Sequence, residues 1–153
     1  MLSSTGPSKL KNETQFQRSL RASLKGMFGD AMFVQKTHGN QFTGAGVSDL
    51  IGHLGGKFFG LELKMKGNRP SPDQYRWMKK QIDAGGFGFW VIYDKDEQCT
   101  YWVPGSEQVS YRDKKNWIKS DWVQKTYKGE DGTMKKLYII DCTPMFLLGM
   151  KRL

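Results

Sequence analysis

Soft metal ligands are scarce in this 153-residue chain, which holds two cysteines and two histidines. Cys99 and Cys142 form neither a Cys-x-x-Cys pair nor a zinc spacing, which excludes a zinc ribbon, a finger and a disulfide scaffold. The thiols are expected to be reduced, in a cytoplasmic protein. Long apolar runs are missing too. No stretch approaches the ~18 residues of a membrane span and the N-terminus has no signal-peptide core, so no membrane partner is expected. Acids are under-represented, 15 against 24 Lys and Arg, for a formal charge of +9 and a pI near 9.6. That balance favours a polyanionic partner, although it also serves plain solubility. Internal repeats are absent, and the length suits one domain burying about two thirds of its surface on folding.

What the chain does have is a charged pair of strands. The stretch GVSDLIGHLGGKFFGLELK, Gly46 to Lys64, predicts one strand over Val47 to Leu54 and another over Lys57 to Met65. Gly55 and Gly56 supply the positive φ angles of a tight turn between them. Side chains alternate along a strand, so Glu62 and Lys64 share one face while Leu61 and Leu63 point to a core. With Asp49 facing the same way from the paired strand, two carboxylates and an ammonium converge. Mg²⁺ takes oxygen ligands and is commonly held by one or two carboxylates. Asp49 and Glu62 could supply these, and the Leu63 carbonyl a third oxygen, with Mn²⁺ as a substitute ion. Such an ion polarises a phosphate oxygen and activates water for phosphodiester hydrolysis. Lys64 would orient that water and stabilise developing charge. The spacing Asp-x12-Glu-x-Lys alone also arises on an ordinary solvated strand face. Charges embedded in the apolar run FFGLELKM, however, require a reason.

Around this pair the chain reads in order. Residues 1 to 11 form a polar arm. A helix is expected from Asn12, as N-cap, through Lys25, ending at Gly26 and burying Phe16, Leu20 and Leu24. Ala31 to Lys36 is a first strand. The glycine-rich loop after it is expected to face the polyanionic partner, DNA for a phosphodiester hydrolase, through Lys36, His38 and Gln41. His38-Gly39-Asn40 does not make an HNH nuclease centre, because His53 is the chain's other histidine and the fold needs further His and Asn ligands. After Lys64, a basic turn with Lys66 and Arg69 leads to a marked helix start: Ser71 as N-cap, Pro72 at the first position and Gln74 completing a capping box. This helix runs to about Ala84, burying Tyr75, Met78 and Ile82 and leaving Arg76 and Lys79 on the surface. Lys66, Arg69, Arg76 and Lys79 join Lys36, His38 and Gln41 as candidate DNA contacts. Phe87 to Tyr93 is a central strand, reached by a right-handed crossover. Cys99 to Pro104 is expected as an edge strand, and Asp121 to Lys128 with Thr133 to Asp141 as a hairpin turning through residues 129–132. The segment YRDKKNWIKSDWVQKTYK interleaves lysines with Tyr111, Trp117, Trp122 and Tyr127, either to follow phosphates and stack on bases or as core tryptophans with a solvated rim. The apolar FLLGMKRL at the end could pack on a second subunit.

Gly46 to Ile51, Gly56 to Lys64, Ser71-Pro72-Asp73-Gln74 and Ala84-Gly85-Gly86 together resemble the PD-(D/E)XK nuclease superfamily and, within it, the VRR-NUC family, over roughly residues 10 to 95. Ser48 stands where the superfamily usually has proline. The resemblance implies an α/β fold: a restriction-endonuclease-like core with a mixed central sheet flanked by helices (αβββαβ) over residues 12–95, carrying a C-terminal β-hairpin extension over residues 96–153. It also implies roles for Gln74, beside metal and scissile phosphate, and for Glu13 on the first helix, whose other role is to complement the helix N-terminus. The expected activity is Mg²⁺-dependent DNA endonuclease cleavage, selective for branched DNA in the manner of phage-type Holliday junction resolvases, by a homodimer without a nucleotide cofactor. A phage-encoded chain would act in the host cytoplasm. Two alternatives are a sequence-specific restriction or homing endonuclease and a non-catalytic nucleic-acid binding protein on a nuclease core.

Overall fold

The computed structural model describes residues 7–37 and 45–145. Helix α1 spans Glu13–Phe28, and Asn12 caps it by accepting the Gln15 N–H at 2.9 Å. The helix continues past Gly26 to a cap at Gly29, three residues beyond the expected end. Met27 and Phe28 pack against the core, and that burial outweighs the propensity cost of one interior glycine, about 1 kcal/mol. Strand β1 follows at Met32–Lys36, then β2 at Leu50–Leu54 and β3 at Lys57–Met65. Gly55 and Gly56, with φ of 59° and 83°, close the β2–β3 turn. Strand β2 starts three residues later than its sequence suggests, which leaves Asp49 just outside the ladder.

Helix α2, Pro72–Asp83, carries the full capping box: Ser71 Oγ accepts the Gln74 N–H at 3.2 Å, and Gln74 Oε1 accepts the Ser71 N–H at 2.8 Å. It leads into β4, Phe87–Asp94, every residue of which is buried. Strands β5 (Cys99–Pro104) and β6 (Ile118–Ser120) complete a sheet in the order β1-β2-β3-β4-β5-β6. The pairing of β3 with β4 is parallel and all others are antiparallel. The order α-β-β-β-α-β is that of the restriction-endonuclease-like core expected from the sequence. One expectation is corrected: β5 is not an edge strand, because Thr100, Tyr101 and Trp102 pair with the short β6.

The sheet is covered on both faces. Leu61, Leu63, Phe89, Val91 and Tyr93 meet Phe16, Leu20 and Leu24 of α1, and each of these three apolar side chains contributes about 1.5–3 kcal/mol by leaving water. Trp90, Ile92 and Val103 meet Met78 of α2, with Tyr75 and Ile82 beside them. A separate two-stranded hairpin, β7 (Trp122–Lys128) with β8 (Met134–Ile140), has its base against α1, where Ser23 Oγ accepts the Ile140 N–H at 2.8 Å. Both cysteines are free and buried. Among the described residues no helix is long and apolar enough to cross a membrane. The C-terminal FLLGMKRL and most of the polar arm lie outside the described residues.

Candidate active site

Strand alternation sets the site. Leu61 and Leu63 are fully buried in the α1-side core, which turns Glu62 and Lys64 toward the opposite face at the end where β3 runs beside β4. Asp49 reaches the same spot from just before β2. Its Oδ2 accepts the Leu63 N–H at 2.9 Å, while its own N–H donates to Glu62 Oε2 at 3.1 Å. The other Glu62 oxygen, Oε1, accepts from Gln74 Nε2 at 2.7 Å and lies 3.9 Å from Lys64 Nζ. Gln74 therefore does two things with one side chain, since its Oε1 caps α2 and its Nε2 fixes Glu62.

Two features that hold Asp49 here escaped the sequence reading. Thr37, just after β1, accounts for the backbone of the Asp49 loop: its N–H donates to the Asp49 carbonyl at 2.9 Å and its hydroxyl to the Ser48 carbonyl at 2.8 Å. Gly46, at φ 78°, passes so close to the start of α2 that a Cβ there would sit 2.2 Å from the Asp73 carbonyl oxygen. Only glycine satisfies both the left-handed backbone and the contact. Gly46 thus docks the Asp49 loop against the helix that carries Gln74. A glycine before an apolar strand is a faint signal, because its reason lies 27 residues away in the chain, at Asp73.

The electrostatics are those of a crowded acid pair. Glu62 is 3% exposed. Burial first, and then the negative charge of Asp49, push its carboxyl up to about 9, against the pull of Lys64. Asp49 is raised by burial, in part offset by the Leu63 N–H and by Glu62, Lys64 and Lys36. Glu13, at the first turn of α1, is raised by burial and by the charge of Asp49, with Lys64 opposing. Glu13, Lys36, Thr37, Asp49 and Leu63 line one cavity of about 190 Å³. Contacts thus tie Asp49, Glu62, Lys64 and Gln74 together, and Glu13 shares a cavity with Asp49.

The two carboxylates disfavour each other's ionised form, and a bound hard cation would relieve that by favouring the charged state of both. Among the described residues no group of three or more His, Cys, Asp or Glu side chains is arranged to hold a metal ion. The oxygen donors the structure brings together here are the Asp49 and Glu62 carboxylates, and two carboxylates suit an ion that keeps several waters.

The candidate DNA contacts divide. Lys36 stands beside the acid pair. Lys66 is 3.3 Å from Asp94 and 3.8 Å from Asp96, Lys79 is 2.7 Å from Asp83, and Arg76 pairs with Asp73. Arg69 is exposed on the turn before α2. His38 and Gln41 lie outside the described residues. Trp117 is packed between the rings of Tyr101 and Tyr111 with Lys114 over it, and half-buried Trp122 donates its indole N–H to the Gln98 carbonyl at 2.9 Å. Of the four aromatics in that segment, Tyr127 is the exposed one, at 48%.

No family model matches the chain, and no curated protein matches it in sequence. Among solved structures it is similar to a Holliday junction resolvase from the archaeal hyperthermophile Archaeoglobus fulgidus, at 14% identity and a TM-score of 0.45, over 69% of this chain and 87% of that one.

Proposed function

We propose that this chain is a divalent-metal-dependent DNA endonuclease of the PD-(D/E)XK type. The observation that carries the reading is the Asp49–Glu62 acid pair, bracketed by Lys64 on one side and Gln74 on the other. Asp49 and Glu62, with the Leu63 carbonyl, would hold the cation, Mg²⁺ in the first instance. The bound ion supplies Lewis acidity toward a phosphate oxygen and a water of lowered pKa. Lys64 then orients the attacking water and stabilises the charge that accumulates on the phosphate oxygens. Gln74 holds Glu62 in place through its 2.7 Å hydrogen bond, so it is a positioning residue, anchored in turn by the α2 cap. Glu13, across the cavity from Asp49, would accept from a water or complete the ligand set.

The VRR-NUC-like motifs extend this reading to branched DNA, cut by a homodimer that presents two sites to two strands. The test is cleavage of end-labelled single strand, duplex, splayed arms and a four-way junction, in Mg²⁺ and in EDTA, with Lys64→Ala alongside. Paired nicks in the junction that require Mg²⁺ and vanish in the variant support the whole reading. Equal cutting of duplex and junction keeps the nuclease and removes the branch preference. Binding without cutting in Mg²⁺ and Mn²⁺ alike leaves a nucleic-acid binding protein.

A further inference from the structure

The β7–β8 hairpin carries an arrangement of charge that the candidate active site does not use. Its base is held by α1, but from Gln124 to Lys128 and from Met134 to Lys136 every residue is exposed. Both faces of the ribbon are bare there, a state in which an isolated two-stranded hairpin is marginal in water. The register sorts its cations. Lys128 pairs with Met134 and Thr126 with Lys136, which puts Lys128 and Lys136 on one face; Lys125 pairs with Leu137 and Tyr127 with Lys135, which puts Lys125 and Lys135 on the other. None of the four makes an ion pair among the described residues, unlike Lys66, Lys79 and Lys119 elsewhere. The two acids of the turn, Glu130 and Asp131, sit at the extreme tip, and Asp131 Oδ1 is turned onto the Thr133 N–H and hydroxyl at 3.0 and 2.7 Å. Tyr127 and Met134, 48% and 67% exposed, add apolar surface beside the lysines.

A ribbon that lies flat on a polyanion needs cations on one face. Cations on both faces suit a ribbon that stands between two negative walls. The major groove of a DNA duplex supplies such walls, about 12 Å apart, and admits a two-stranded β-ribbon. We propose that the β7–β8 hairpin is a DNA-binding arm that inserts into the major groove of a duplex, gripping the two flanking backbones through Lys125 and Lys135 on one side and Lys128 and Lys136 on the other. The inference rests on the reading that the substrate is DNA, and it names the duplex as the form gripped.

The test is equilibrium binding to a fluorescent duplex in EDTA, across a salt series, for the wild-type chain, for a variant with all four lysines changed to Gln, and for one with all four changed to Arg. The Gln variant is expected to bind at least tenfold more weakly at low salt. Its slope of log affinity against log salt should be shallower by about three to four, because each phosphate contact contributes about 0.9. The Arg variant should bind like wild type, which shows that positive charge carries the contact, and a Gln variant with the wild-type circular dichroism spectrum and melting temperature excludes a folding defect as the cause. Unchanged affinity and slope in the Gln variant overturn the arm and leave the lysines as guards against edge pairing. An equal loss on single strands overturns the groove. A wild-type chain that cuts DNA in Mg²⁺ while the Gln variant binds normally removes the arm alone. One that binds through the lysines yet never cuts removes the nuclease reading and keeps the arm.

Discussion

Glu62 and Lys136 each place one charged group on a β-strand, yet their surroundings are opposite. Glu62 is 3% exposed, shares its site with a second acid, and has every near oxygen engaged by Asp49, Gln74 or Lys64. Lys136 stands in solvent on a ribbon whose two faces are open. The difference teaches where each kind of chemistry belongs. Charge enclosed on a sheet that is packed on both faces costs desolvation and is held in one place by its hydrogen bonds. Charge on a projecting hairpin costs little and is screened by salt, so it suits grip and steering.

The sharpest way to break this division is to exchange the effects. Lys64→Ala is expected to lower cleavage at saturating DNA by about 10²–10³-fold, the usual loss when one stabilising group for developing charge is removed. Binding in EDTA should change less than threefold. If Lys64→Ala weakens binding and spares turnover, the enclosed site is doing the work assigned to the hairpin. Gly46→Ala comes next. Left-handed strain together with overlap on the Asp73 carbonyl should cost about 2–4 kcal/mol, read as a lower melting temperature, and cleavage should fall with it because the Asp49 loop is pushed off α2.

The acid pair also predicts a pH dependence whose sign is opposite to that of an ordinary salt-bridged carboxylate. Glu62 rises from its usual 4.5 to about 9 in the folded chain. Across that window the folded state therefore binds a proton that the unfolded state has released, and stability falls as pH rises. Asp49 and Glu13, also raised, act in the same direction. In EDTA the protein should melt a few degrees lower at pH 8 than at pH 6, at about 2–4 °C for each kcal/mol in a chain of this length. Glu62→Gln should flatten the dependence, and saturating Mg²⁺ should offset it. A melting temperature that rises over the same window in EDTA, unaltered by Glu62→Gln, contradicts the crowded pair. Smallest of all is Ser71→Ala, which removes the α2 cap for about 1 kcal/mol, a shift of two to four degrees, with cleavage largely kept through the surviving Gln74–Glu62 bond.

Much of the site was legible because its causes are local. The Gly55-Gly56 turn closes the β2–β3 pair, strand alternation turns Glu62 and Lys64 to one face, and the Ser71, Pro72 and Gln74 cap is written in four consecutive residues. What stayed illegible depends on distant partners. Ile118–Ser120 pairs with β5 after an irregular stretch that gives no strand signal, so β5 read as an edge. Helix α1 outruns Gly26 because Met27 and Phe28 find a core contributed by other elements. Thr37 and Gly46 matter through backbone contacts that no spacing rule encodes. The tryptophans at 117 and 122 carried two readings, and the structure packs Trp117 between Tyr101 and Tyr111 and ties Trp122 to the Gln98 carbonyl.

The most direct test of the central claim needs no DNA. Calorimetric titration of the metal-free protein with Mn²⁺ at pH 7.5, on wild type and on Asp49→Asn, asks whether the acid pair is a cation site. Saturable binding in the wild type that is lost or weakened by at least tenfold in Asp49→Asn, with the fold intact by circular dichroism, is the predicted result. Identical isotherms for the two proteins would contradict it.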